Sequence, residues 1–158
     1  MKENEREGKT KMNIYIGSDH AGFELKEKMK EYLKETGKNV IDVGPETADR
    51  VDYPVYGGRV GRSVVGDEGS FGIVICGSGI GISIAANKVK GVRAALCSEP
   101  LSASLSRKHN NANVVALGAR LIGETMAKEI IDVFLSTGFE GGRHSERVRL
   151  IDDMEREG

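Results

Sequence analysis

Cys76 closes the apolar run Phe71-Gly72-Ile73-Val74-Ile75-Cys76 and opens the turn Gly77-Ser78-Gly79-Ile80-Gly81. The run reads as a buried parallel strand, short and rich in β-branched residues. The next stretch, Ile82-Ser83-Ile84-Ala85-Ala86-Asn87-Lys88, reads as the start of a helix. A thiol at the carboxyl end of a strand, beside a helix N-terminus, stands where open α/β sheets bind ligands. The positive end of a helix favours a thiolate, and its free N–H groups accept an anion. One segment thus offers a base or nucleophile together with an oxyanion or phosphate site. The plain alternative is a small buried hydrophobe, the usual fate of a free cysteine.

Other strand ends carry further candidates. The first ends in Gly17-Ser18-Asp19-His20-Ala21-Gly22 and the fifth in Gly118-Ala119-Arg120. Asp19 reads either as a reacting carboxylate or as a cap on the following helix. His20 is either functional or an ordinary surface histidine, of interest because its proton comes off near neutral pH. Cys97, in Cys97-Ser98-Glu99-Pro100, lacks a glycine turn and reads as packing. The segment Arg107-Lys108-His109-Asn110-Asn111-Ala112-Asn113 precedes the fifth strand. It reaches the carboxyl edge only with a bent or short helix before it, or from a neighbouring subunit. Arg143 and Arg147 are spaced i, i+4 and share a helix face. With Arg120 they form a candidate phosphate clamp, because guanidinium forks match phosphate oxygens. The turn is not a dinucleotide fingerprint: it reads Gly77-x-Gly79-x-Gly81, and Ile82 stands where the third glycine belongs.

These residues must be held by a regular scaffold. Five strand-like runs, 14–17, 40–43, 71–76, 93–97 and 114–117, alternate with helical patterns. The helical patterns are Leu25/Met29/Leu33, Val55/Arg59/Val64 opened by Pro54, the stretch from Ile82, Pro100 to Lys108, and the stripe Ile122/Met126/Ile130/Val133/Phe134. A last helix carries Val148, Ile151 and Met154 behind the break Gly138-Phe139-Glu140-Gly141-Gly142. Such alternation predicts one α/β domain of three layers, Rossmann-like, with a five-stranded parallel sheet. The terminal helix is expected to dock on a neighbouring subunit, with packing on its own domain as the alternative.

The 158 residues suit one domain, with 39% hydrophobic and 30% charged residues. Residues 1–12 are almost all polar and are expected to be a disordered extension, leaving 13–158 as the folded domain. The net charge of −1 supplies no field for nucleic acid or anionic membrane. No run reads as a membrane helix or signal peptide, and two cysteines without disulfide spacing fit a reducing cytoplasm. No zinc-type Cys/His spacing is present, so neither metal nor cofactor is expected.

Several blocks, in order, resemble the type B ribose-5-phosphate isomerase family, which also includes galactose-6-phosphate isomerase subunits. They are Gly-Ser-Asp-His-Ala-Gly-Phe (17–23), Asp-Tyr-Pro (52–54), Ile-Cys-Gly-Ser-Gly-Ile-Gly-Ile-Ser-Ile-Ala-Ala-Asn-Lys (75–88), Cys-Ser-Glu-Pro (97–100), Ser-Arg-Lys-His-Asn (106–110) and Gly-Gly-Arg-His (141–144). The resemblance runs from about Asn13 to Met154. It implies the interconversion of ribose 5-phosphate and ribulose 5-phosphate through a cis-enediolate, in the pentose phosphate pathway. It also implies a homodimer, often a homotetramer, with sites shared between subunits. By motif, Cys76 resembles the base moving a proton between C1 and C2. His109 resembles the acid/base that opens the furanose, with Asp19 helping. Ser78 stands where many members have threonine. Gly77, Gly79 and Gly81 resemble the N–H donors to the enediolate. His20, Arg120, Arg143 and Arg147 resemble the phosphate set, and Tyr53 and Asn110 resemble sugar contacts. The alternatives are a galactose-6-phosphate or allose-6-phosphate isomerase, or a non-catalytic sugar-phosphate or nucleotide-binding module.

Overall fold

A computed structural model of the chain describes residues 12–157. The expected extension, residues 1–12, lies outside the described residues except for Met12. The elements run β1 (Asn13–Ser18), α1 (Phe23–Glu35), β2 (Asn39–Asp42), α2 (Tyr53–Val65), β3 (Phe71–Cys76), α3 (Ile80–Asn87), β4 (Ala94–Leu96), α4 (Pro100–Asn110), β5 (Val114–Gly118), α5 (Glu124–Ser136) and α6 (Arg143–Glu157). All strand pairs are parallel, in the order β2-β1-β3-β5-β4.

That order places the helices. The steps β1 to β2 and β4 to β5 go one way along the sheet; β2 to β3 and β3 to β4 go the other. Right-handed crossovers therefore send α1 and α4 to one face and α2 and α3 to the opposite face. The two cores follow. Ile14, Ile16, Ile73, Ile75, Val115 and Leu117 pack with Leu25, Met29, Ile130, Ile131 and Phe134. Val74, Cys76, Val114 and Ala116 pack with Val60, Val64 and Ile82. Alternate residues of one strand thus serve opposite cores, as the pleat requires, and Cys76 belongs to the α2/α3 side.

The sheet order also fixes a crevice. The chain leaves β1 in one direction and continues past it in the other, so the carboxyl ends of β1 and β3 open beside one another. The turn after β1 is tight there: Asp19 N–H donates to the Ile75 carbonyl at 3.1 Å, and a Cβ on Gly22 would overlap that carbonyl.

Two strands differ in more than a residue added at an end. β2 is displaced by one residue, and β4 shrinks to three. β4 is an edge strand with β5 as its neighbour. The Arg93 N–H is taken by the Asn113 side chain at 2.8 Å and leaves the ladder early. The terminal helix is anchored on its own domain rather than swung away. Arg93 pairs with Asp152 at 3.1 Å, Glu155 accepts the Gly91 N–H at 3.0 Å, and Val148 is buried. Its remaining apolar residues, Leu150, Ile151 and Met154, stay exposed in the single chain.

Candidate active site

The sequence candidates separate into two groups, one on each edge of the sheet. At the carboxyl edge, Cys76 ends β3 and is 4% exposed. The Gly79 N–H donates to its Sγ at 3.2 Å. Gly79 caps α3 with φ of 79°, and a side chain there would meet the Leu117 carbonyl carbon at 2.8 Å. Only glycine allows this turn to close over Cys76. Ser78 Oγ accepts the Ile80 N–H at 3.2 Å. The cap residue Gly79 carries no side chain, so the next N–H groups in the first turn of α3 stand beside the sulfur.

The neighbours converge on this turn. Asp19, buried, accepts the Gly22 N–H through Oδ1 at 2.9 Å. It therefore holds the turn before α1, whose cap residue is Gly22 with no side-chain cap bond, and lies beside the end of β3. His20 Nδ1 lies 3.1 Å from the Val51 carbonyl and 3.3 Å from the Val51 N–H. This ties the β1 turn to the segment leading into Tyr53. The Tyr53 ring packs on Gly81, its nearest atom 2.6 Å from where a Cβ would sit. Arg120 follows β5, its N–H donating to the Gly77 carbonyl at 2.9 Å. Its Nη1 lies 3.4 Å from the Cβ position of Gly77. Asp19, His20, Tyr53, Cys76, Gly77, Ser78, Gly79, Gly81 and Arg120 thus form one rim.

His109, Asn110, Arg143 and Arg147 form another. His109 and Asn110 lie in the last turn of α4, and the chain then enters β5 at its amino end. Asn113, just before β5, accepts the N–H of Gly72 at the start of β3. The β5 ladder separates the two edges by roughly 13 Å. Arg107 locks the end of α4: it donates to Thr137, Asn111 and Ala112, and its guanidinium lies over Phe71 and Phe134. The Glu140 N–H donates to the Lys108 carbonyl at 3.1 Å, bringing the start of α6 alongside. Arg143 and Arg147 are exposed on its first two turns. His109 therefore does not reach Cys76 within one chain, because α4 is a regular helix that ends at the opposite edge.

The amino edge also holds a residue that sequence reasoning left without a role. His144 is 5% exposed, and its ring stacks on His109 with centroids 4.3 Å apart and planes at 14°. Burial pushes its imidazole below the ordinary histidine value, and His109 and Arg143 push the same way. The scarcity of histidine was the available signal: two of three meet here. His109, Glu140 and His144 place ligand atoms within 4.8 Å of one another, a spacing a divalent ion can use. The stacked planes and Arg143 Nε, 3.5 Å from His144 Nε2, work against it. Ligating imidazoles must aim their lone pairs at one point, and a neighbouring guanidinium repels the ion.

The second cysteine contrasts with the first. Cys97 is 1% exposed. Burial, with Glu99 adding to it, pushes its thiol from 9.0 up to about 11. Its Sγ–H points at the Ala95 carbonyl, 3.7 Å away, as expected of a packing residue.

Comparison with known proteins gives the family. Residues 14–151 fit the Ribose/Galactose Isomerase family model. The chain is 51% identical over 142 residues to ribose-5-phosphate isomerase B of Escherichia coli K12, covering 90% of this chain and 95% of that one. The solved ribose-5-phosphate isomerase B of Clostridium thermocellum superposes with a TM-score of 0.91 at 49% identity, covering 92% and 99%. That of Mycoplasma genitalium, with bound ribulose-5-phosphate, superposes with a TM-score of 0.90 at 43% identity, covering 95% and 100%. With its glycine turn around Cys76 and its five-stranded parallel sheet, the chain belongs to the Ribose/Galactose Isomerase family.

Proposed function

We propose that this protein is a type B ribose-5-phosphate isomerase, an aldose-ketose isomerase acting in the pentose phosphate pathway of the cytoplasm. Residues 13–158 form its isomerase domain. One observation carries the arrangement of its site: the thiol rim and the histidine–arginine rim lie on opposite edges of one subunit. Each needs the other, so the working unit is a homodimer, or a tetramer of such dimers, in which the His109 rim of one subunit faces the Cys76 rim of the next. The exposed apolar residues of α6 and of the Ile80–Ile84 face offer the contact area for such an assembly.

In that pocket Arg143 and Arg147, with His20 and Arg120 across from them, hold the phosphate. Tyr53 and Asn110 flank the sugar. Opening the furanose breaks the C1–O4 bond. His109 gives a proton to O4, and Asp19 takes the O1 hydroxyl proton as the C1 carbonyl forms. Cys76, as thiolate, then removes the C2 proton. The electron pair moves to O1, where the N–H groups of the Gly77-Ser78-Gly79-Ile80-Gly81 turn receive the charge. The O2 proton passes to O1, the thiol returns its proton to C1, and the ketose results. The thiol takes one proton from C2 and gives one to C1, swapping it with solvent in part of the turnovers, so the step needs no net acid or oxidant. General-base catalysis of this kind needs a group whose proton comes off near working pH.

A coupled assay of the purified protein on ribose 5-phosphate, allose 6-phosphate and galactose 6-phosphate tests the reading. Turnover of ribose 5-phosphate that persists in EDTA is expected. Turnover confined to a hexose phosphate would move the assignment to the galactose branch. Binding without turnover of any would reduce the protein to a sugar-phosphate module.

A further inference from the structure

The stacked histidines join two helix ends of opposite polarity. His109 lies in the last turn of α4, at the carbonyl end of that helix. His144 is the second residue of α6, where the amide end disfavours an imidazolium. Arg143 Nε approaches His144 Nε2 at 3.5 Å with its proton directed at that nitrogen, a contact that suits a lone pair on Nε2 and a neutral ring. The charged groups around the pair come from three segments. Lys108 stands next to His109 on α4, exposed; Glu140 approaches from the loop before α6; Arg143 and Arg147 stand on α6. On His144 the two arginines act against a proton and Glu140 acts for one, while burial exceeds each of them. Two imidazoliums stacked at this distance would repel, which a neutral His144 avoids.

We propose that His144 is a positioning residue for His109: an imidazole at the start of α6 that stacks on the His109 ring and fixes its plane. The inference rests on the ring-opening role given above to His109. An unstacked ring at the end of α4 would sample several orientations, and only some direct its proton at O4. Misplacing a catalytic group by a small distance is enough to cost large factors in rate.

The test uses a property of the substrates. The C5 oxygen of ribulose 5-phosphate carries the phosphate, so the ketose has no furanose ring to open. Exchange of its C1 hydrogen with solvent deuterium therefore reads proton transfer alone, while conversion of ribose 5-phosphate reads ring opening as well. His144→Ala should lower kcat on ribose 5-phosphate on the order of 10-fold to 10²-fold, with a smaller change in KM and little change in C1 exchange. His144→Phe, which keeps a flat ring in the stack, should recover most of the lost kcat. Nitrogen-15 NMR of the wild-type protein should show His144 remaining neutral at neutral pH. Three results would overturn the inference: equal loss of exchange and conversion in His144→Ala, a His144→Phe variant that folds yet is no better than His144→Ala, or a protonated His144 at neutral pH. His109→Ala run alongside separates the two levels. If it slows exchange as much as conversion, the ring-opening reading itself falls and takes the inference with it. If it slows conversion alone while the His144 variants match wild type, His109 keeps its role and His144 loses its own.

Discussion

The two edges of the sheet are built by different means. At the carboxyl edge the groups come from turns that directly follow β1, β3 and β5, and many of the polar groups are main chain: the Gly79 N–H on the Cys76 sulfur, and the start of α3, whose cap is a glycine. At the amino edge the groups are long side chains from the ends of α4 and α6, brought together by Arg107, the Glu140–Lys108 bond and the histidine stack. The first edge is rigid because strand ends are fixed by the ladder. The second gains reach, because arginine side chains on exposed helix turns extend well away from the backbone. A rigid rim suits a developing enediolate, whose charge needs preorganised donors. Flexible cationic arms suit a phosphate that does not react.

The largest test of this contrast is Cys76→Ala. It should leave the fold unchanged and lower turnover on the order of 10²–10⁴-fold, the usual cost of losing a general base. Near-wild-type turnover in the coupled assay would break the contrast by removing the reacting group from its rigid rim.

Next comes complementation between the edges. Cys76→Ala and His109→Ala homo-oligomers should both be impaired. A purified, differently tagged heterodimer carries one site with both defects and one with neither, so it should recover about half the wild-type rate. A heterodimer no better than its parents would place both residues in one site of one chain.

Smaller effects sharpen the division of labour. Arg143→Ala and Arg147→Ala each remove a charged hydrogen-bonding group, worth about 1.5–3 kcal/mol. KM for ribose 5-phosphate should therefore rise on the order of 10-fold to 10²-fold, with kcat less affected. A main effect on kcat instead would tie the arginines to the reacting atoms.

The smallest effects concern the second cysteine. Iodoacetamide should label Cys76 before Cys97 at pH 8, with ribose 5-phosphate protecting Cys76, because a thiol at about 11 is almost wholly protonated there. The same shift makes a stability statement. The folded Cys97 holds its proton more tightly than the unfolded one, so its contribution is intact below pH 9.0 and fades as pH rises toward about 11. The loss is on the order of 2 kcal/mol at the upper end. Thermal melts of wild type should therefore fall more steeply than those of Cys97→Ala across that range. Parallel curves would refute the link.

The sequence by itself determined the carboxyl edge. A β-branched run, a glycine turn and a helix pattern are contiguous, so their local preferences fix where Cys76, Ser78 and the free N–H groups lie relative to one another. The period-2 and period-3.6 patterns likewise gave the alternation of strands and helices, and hence a parallel sheet covered on two faces. The order β2-β1-β3-β5-β4 and the short edge strand β4 came only with the tertiary structure, because strand order depends on which neighbours share a ladder and not on any one segment. The amino edge was equally hidden. His109 and His144 are separated in sequence by β5 and α5, and nothing local says that the end of α4 meets the start of α6. Their stacking depends on the Arg107 anchor, the ion pair of Arg93 with Asp152 and the burial of Val148, all of them contacts between distant segments. Local chemistry could name the residues of that edge; only the packing of helix against helix decided which of them touch.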